Sequence, residues 1–573
     1  MPKRSHAWDF FEKQSGKVIC SKCKGEVKTT GNTSNMLRHL ENHHIDLFLT
    51  HFKGQNVKQR RIDTSMNMIS SIKSGDLKST IDEKLIWWII DDSRPFNMVE
   101  SKAFKSFIKS LNSNYDAPGR KSVTDKIEKL YGTKKELVIS HLKMIRSFTL
   151  TTDLWTDTTN TRSYIGLTIH FIDNYVPIKL CLAAKEFPHN HSAQNISTLI
   201  KDILDQFEID IEIIFATVTD SAANMKLAMK DISANHIGCV AHKLNLVVTD
   251  SLEFDRDLVN LIVKIRTIVT YFKQSNKASL ALIEEQKKDG VDQLLKLKQD
   301  VLTRWNSTYI MIERMLKLRN YVSLSLRKLL REDLDLDYRE IEQLNDVMLL
   351  LKPFYQMTLD MSGENYVTIS RVIPLVTMVF NLLNTIQTTT YIGATLKAKL
   401  VSNLEERFAN IERNHLFAFS TILDPRFKLI DFRSPGDSAL AVSKLNRELK
   451  EVNLTQVIVP EPESELNLWS LHNNLVSRIT TVDSSLNSSL KHYLELKNID
   501  LKDDPLDFWK RYKENFHHLH NIAIKYLNIP ATSVPCERLF SKTGQIINEK
   551  RNRISPSHVN ALCFLESLPE IFR

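Results

Sequence analysis

The sequence predicts a multidomain α+β/α chain: a small cysteine- and histidine-bearing unit, a helical region, a mixed β-sheet core and a long all-helical segment. Three observations carry this. The chain has 573 residues, which at ~100–200 residues per domain suggests three or four domains. Only 14 residues are glycine, about a third of the ~7% average, which points to helix and excludes collagen-like or glycine-linker architectures. Near Ile145 the apolar pattern changes from a spacing of three or four to strict alternation. Apolar residues make up 42% of the chain, enough for sizeable cores and too many for a largely disordered polymer.

Residues 1–50 contain the closely spaced cysteines. Cys20 and Cys23 are two residues apart, and His39 follows after fifteen more, with His43 and His44 just beyond. Two thiolates and two imidazoles at this spacing satisfy a tetrahedral zinc, and both His43 and His44 are admissible as the fourth ligand. A unit of ~50 residues buries too little to fold on apolar contacts alone, so metal would supply its folding energy. Lys22, Lys24, Lys28 and Arg38 make the unit basic, and a helix from Asn32 to His39 would carry side chains into a DNA major groove. Cys181, Cys239, Cys536 and Cys563 are scattered, so a reducing compartment is expected rather than a disulfide framework.

Residues 51–80 are Ser-rich, basic and aperiodic, and read as a linker. Residues 81–144 turn helical in IDEKLIWWII and AFKSFIKSL. Residues 145–265 are mixed. SFTLTTD, YIGLTIHFI and VPIKLCLAAKEF are strand-like, with TDTTNTRS as a hairpin loop. A helix then leads to IEIIFATVTD, whose lack of a polar face suits a central strand covered on both sides. SAANMKLAMKDI, HIGCV and a helix from Ala241 complete a mixed sheet flanked by helices. Residues 266–500 read as helical, with breaks expected at Gly290, Pro353, Gly363 and Pro374. In the last segment, 501–573, PATSVPCERLF starts a helix that Ser533 can cap, with Pro535 in the first turn.

Asp153 ends the first strand on the face shared with Ser147, Thr149 and Thr151, and Asp220 ends the buried strand. Carboxylates at the ends of neighbouring strands can chelate magnesium, which takes one or two of them and completes its shell with water and phosphate oxygens. They can equally be helix caps. The net charge of +9 and a pI near 9.0 favour a polyanionic partner. The apolar run LIWWII is too short to span a membrane, and the basic N-terminus has no apolar stretch of a secretory signal behind it. Lys3-Arg4 and Lys58-Gln59-Arg60-Arg61 are clusters of the kind nuclear import reads, or ordinary solvated charge.

Two resemblances sharpen this. Trp8, Phe11, Cys20-Ser-Lys-Cys23 and TSNMLRHLENHH resemble a BED finger, a DNA-binding module, and that likeness selects His44 as the fourth zinc ligand. From residue 81 onward the chain resembles hAT-superfamily transposases, through TTDLWTD, TVTDSAANM, CVAHKLNL, DVLTRWNST, LKPFYQMT, LDPRFK and IPATSVPCERLFSKTGQII in order. The resemblance implies an RNase H-like sheet (145–265) interrupted by an all-α insertion (266–500), with the last part of the core and a dimerisation region in 501–573. It makes Asp153, Asp220 and Glu537 the acids that hold catalytic magnesium or manganese; Asp157 is a rival for the first position, and the Asp-x-Trp-Thr context favours Asp153. It assigns DNA contacts to Cys239, His242, Arg304 and Trp305, beside Lys22 and Arg38 of the finger; Trp305 would stack on an extruded base, with core packing as the competing reading. It places homodimer or higher contacts at Leu539, Phe540 and Ile547, whose apolar face with Cys536 could equally complete the catalytic core. The expected protein is nuclear and cuts and joins double-stranded DNA at transposon ends and targets. The alternative is a domesticated DNA-binding regulator of transcription without that activity.

Overall fold

The computed structural model describes residues 5–14, 17–28, 33–52, 76–157, 162–454, 486–547 and 554–573. The basic clusters at Lys3 and Lys58 and most of the linker lie outside them. The chain divides into two compact units, residues 1–125 and 126–573.

In the first unit, β1 (Phe11–Gln14), β2 (Lys17–Cys20) and β3 (Glu26–Val27) form a small antiparallel sheet, followed by α1 (Ser34–His43) and α2 (Ile45–Phe52). Its core is Ala7, Phe11, Val18, Cys20, Val27, Met36, Leu40 and Phe48, with Trp8 packed against it. So few buried side chains make a thin core, which is why a metal staple matters here. Two further helices, α3 (Asp76–Asp91) and α4 (Lys102–Leu111), belong to the same unit, and α5 (Arg120–Leu142) runs across the division. LIWWII lies in α3, where Leu85, Ile86, Ile89 and Ile90 are buried. Among the described residues, no helix is long and apolar enough to cross a membrane.

The second unit is built on a five-stranded sheet of order β6-β5-β4-β7-β8. β4 (Phe148–Asp157), β5 (Arg162–Asp173) and β6 (Val176–Glu186) form an antiparallel meander, and β7 (Ile214–Thr219) and β8 (His236–Gly238) add parallel to β4. The mixed sheet expected from the pattern is present. The first two strands extend further into TDTTNTRS than expected, since Thr156 still pairs with Ser163 and Asp157 with Arg162. All six residues of β7 are buried, as a strand without a polar face requires.

The sheet is flanked and followed by helices α6 (Ala193–Gln206), α7 (Ala223–Lys230), α8 (Val240–Leu252), α9 (Arg256–Gln274), α10 (Asn276–Lys288), α11 (Trp305–Lys328), α12 (Tyr338–Met361), α13 (Val372–Thr385), α14 (Tyr391–Phe408), α15 (His415–Ile422), α16 (Pro435–Leu454), α17 (Ser488–Glu495), α18 (Pro505–Arg511) and α19 (His517–Leu527). The break expected at Pro353 does not occur, because α12 runs through it. The lost hydrogen bond is offset by burial of Leu350, Leu351, Pro353 and Phe354. Pro374 likewise sits within the first turn of α13, where no donor is needed. The chain returns to the sheet in α20 (Val534–Ile546) and α21 (Pro556–Glu566).

Candidate functional site

In the finger, Cys20, Cys23, His39 and His44 bring one ligand atom each to within 4.8 Å of one another. The cysteine turn is closed by Cys20 N–H donating to Gly25 O (3.0 Å) and Lys24 N–H to Cys20 O (2.9 Å), with Lys24 in the left-handed region. A Cβ on Gly25 would stand 3.2 Å from Cys23 Sγ and 3.4 Å from His39 Cε1, so the glycine relieves crowding against two of the clustered side chains. His44 Nε2 is buried without a hydrogen-bond partner, an orphan that a metal would satisfy. His43 is exposed and outside the cluster, and the fourth member of the cluster is His44. Burial, with His43 and His44 nearby, lowers the His39 pKa and favours the neutral imidazole that zinc needs. The donor set therefore fits zinc. Lys22, Lys24, Lys28 and Arg38 of the finger are all exposed.

In the second unit, the register of β4 on β7 pairs Thr151 with Val218. Two residues further along stand Asp153, inside β4, and Asp220, just past the end of β7, toward the same end of these neighbouring strands. α20 lies across β4 and β5 on the face of Thr151 and brings Glu537 to that edge. The three carboxylates are close enough to interact. Burial raises Asp153 from 3.8 to about 7, opposed by Leu154 N–H donating to Oδ1 (2.9 Å) and reinforced by the charges of Asp220 and Glu537. Asp220 is not a cap, since Ala222 occupies that position of α7; its Oδ1 accepts from Ala222 N–H at 3.2 Å. Arg304 Nη2 stands 3.9 Å from Glu537 Oε2. The side chain of Asp157 lies outside the described positions.

What holds this edge together is the start of α8. Cys239 N–H donates to Thr219 O (2.6 Å), Val240 N–H to Ala531 O (3.0 Å), and Ser533 N–H to Cys239 Sγ (3.3 Å). The residue before Asp220 is thus tied to the turn four residues before Glu537. Ser533 occupies the N-cap position of α20, but its hydroxyl makes no capping bond. Further along α8, Asn245 Oδ1 accepts from Trp305 N–H (3.2 Å) and fixes the Arg304–Trp305 corner. Cys536 adds a second tie, donating Sγ–H to Thr151 O at 3.1 Å. Beneath it, Thr151 and Thr168 share a hydrogen bond and both meet His170 Nε2, at 3.2 and 3.1 Å. Burial pushes His170 down to about 3, so this layer is uncharged.

Several expected contact residues have other surroundings here. Cys239 is fully buried, so its sulfur is a hydrogen-bonding atom inside the fold, and only His242 of the Cys-x2-His pair reaches the surface. Trp305 is 3% exposed and packs edge-on to Tyr309 in the main core, so its ring offers no face to a base in this conformation. Leu539, Phe540 and Ile547 are buried within the chain. The apolar face of α20 therefore completes the protein's own sheet instead of facing a second copy. Sequence reasoning missed Gly166, which pairs with Asp153 across the sheet. A Cβ there would fall 2.9 Å from the Phe540 ring, so the glycine is what lets α20 approach. A glycine inside an alternating strand was the signal.

Four family models match segments of this chain: the BED zinc finger over residues 5–45, the ZBED1 RNase-like domain over 151–239, the ZBED1 RNase-like helical domain over 237–346, and the hAT family C-terminal dimerisation region over 489–568. The chain carries a BED zinc finger and an hAT dimerisation region. Among similar proteins, human zinc finger BED domain-containing protein 4 is 25% identical over 100% of this chain and 52% of its own length. The putative AC transposase of Zea mays is 26% identical over 94% of this chain and 71% of its own. The putative transcriptional regulator tpeD of Talaromyces stipitatus is 23% identical over 84% and 61%. The chain thus spans about half the length of the human relative. The matched segments are those of a BED zinc finger and an hAT dimerisation region, and the similar proteins include ones named as transposases and as zinc finger BED domain-containing proteins.

Proposed function

We propose that the protein is a nuclear hAT-type transposase that cleaves and rejoins double-stranded DNA, working as a homodimer or larger assembly. The observation that supports this most is the meeting of Asp153, Asp220 and Glu537, from two strands and a helix, at one sheet edge. Like charges so placed repel each other and favour a divalent cation. Asp153, Asp220 and Glu537 would hold magnesium or manganese, which supplies an activated water and charge stabilisation at the leaving oxygen of a phosphodiester. Arg304, beside Glu537, would hold a phosphate of the bound strand, and His242 a phosphate or water. Base stacking by Trp305 would need its corner to open when DNA binds. The BED finger would read terminal DNA through Lys22, Arg38 and the exposed face of α1.

Cleavage of duplex DNA in Mg²⁺ or Mn²⁺ tests the reading, comparing the wild type with Asp220→Asn. The expected result is cleavage by the wild type and loss in the variant; activity retained by Asp220→Asn would refute the metal role. A second reading, a domesticated regulator of transcription, draws on the relative named as a transcriptional regulator. It is favoured if the wild type binds DNA and cleaves none.

A further inference from the structure

Lys243 and Lys226 approach the same sheet edge from two helices. Lys243 lies in the first turn of α8, and its Cε would be 3.5 Å from a Cβ placed on Gly238, while Ser221 Oγ would be 3.1 Å from the same point. Gly238 thus leaves a gap bordered by Lys243 and by the residue that follows Asp220. The Lys243 ammonium is partly buried and stands 6.0 Å from the ring centre of Phe408, the outer limit of a cation–π contact. No ion pair ties either lysine to a carboxylate among the described residues, and Ser221 Oγ makes no hydrogen bond there. Lys226 is exposed on α7. His236, at the foot of the gap on β8, feels Lys226 and Lys243 as well as Asp220. Burial, then Lys226, push Lys243 below the ordinary lysine range. A half-buried ammonium within the field of a second cation and near an unused hydroxyl favours an anion at the gap.

We propose that Lys243 and Lys226, with the Ser221 hydroxyl, bind a backbone phosphate of the DNA strand next to the one presented to Asp153, Asp220 and Glu537. This rests on the DNA-processing reading above and adds the path of the strand, which runs from the carboxylate edge over Gly238 between α7 and α8. Phosphate contacts of this kind set register without reading sequence.

The test uses the full-length, zinc-loaded chain and a labelled duplex of about three helical turns. Affinity is measured across a KCl series for the wild type, Lys243→Gln, Lys243→Arg, Lys226→Gln and an exposed control on α10, Lys287→Gln. Removing one lysine–phosphate pair should lower the slope of log affinity against log salt by ~0.9. The expected result is that reduction in Lys243→Gln and Lys226→Gln, with the slope kept in Lys243→Arg and Lys287→Gln. Lys226 is on the surface, so its variant remains informative if Lys243→Gln folds poorly. Wild-type slopes in both glutamine variants overturn this inference and leave the functional reading intact. Salt-independent or absent binding by the wild type overturns the functional reading itself.

Discussion

Replacing Asp153 with Asn should stabilise the metal-free protein. Its carboxyl is raised from 3.8 to about 7, first by burial and then by Asp220 and Glu537. A raised acid keeps in the folded state a proton that the unfolded chain gives up. The destabilisation is therefore absent below about pH 4, grows between about 4 and 7, and is complete above about 7. About three pH units at 1.36 kcal/mol each give an upper bound of ~4 kcal/mol, and residual solvent contact at Asp153 reduces this to ~2 kcal/mol. For a unit of roughly 450 residues the unfolding entropy is ~0.9 kcal/mol/K, so the gain is ~2 °C in Tm if the unit melts as one. The assay is differential scanning calorimetry at pH 5 and pH 8, in EDTA and in MgCl2. Asp153→Asn should melt above the wild type at pH 8 in EDTA, with a smaller gap at pH 5, and magnesium should raise only the wild type. An Asp153→Asn variant that melts with or below the wild type at pH 8, or a gap equal at both pH values, would refute the reasoning.

Other outcomes test separate parts of the structure. His44→Ala should abolish stoichiometric zinc binding by the finger, while His43→Ala keeps it, as read by metal analysis after dialysis. Gly166→Ala should destabilise the second unit by ~1–3 kcal/mol through the clash with Phe540, with partial recovery in Gly166→Ala/Phe540→Leu, measured by denaturant unfolding. In LDPRFK, Arg426 donates to both oxygens of buried Asp424, at 2.9 and 2.6 Å, and Ser370 Oγ–H donates a third bond. Asp424→Ala should therefore cost ~3–5 kcal/mol by leaving a buried cation unpaired, and show as a lowered Tm.

Much was legible in the sequence because it is local. Cys20, Cys23 and His39 follow from spacing, since a cysteine turn and a helix place the donors together, while the choice of His44 over His43 came from family resemblance. The strands of the sheet follow from alternation, and the central position of β7 from its lack of any polar face. Asp153 and Asp220 could be suspected because both were expected to end strands, although β4 runs on to Asp157 and only Asp220 follows a strand end. Glu537 was recognisable only through family resemblance, since more than three hundred positions separate it from Asp220 and no local pattern marks the meeting. Tertiary structure alone decided that Cys239 holds the turn before Glu537, that Trp305 is a core residue in this conformation, and that α20 buries its apolar face on its own sheet. An amphipathic helix records that it needs a partner surface, not which one. Pro353 shows the same limit from the other side, because the packing around α12 outweighs the one hydrogen bond that a proline removes.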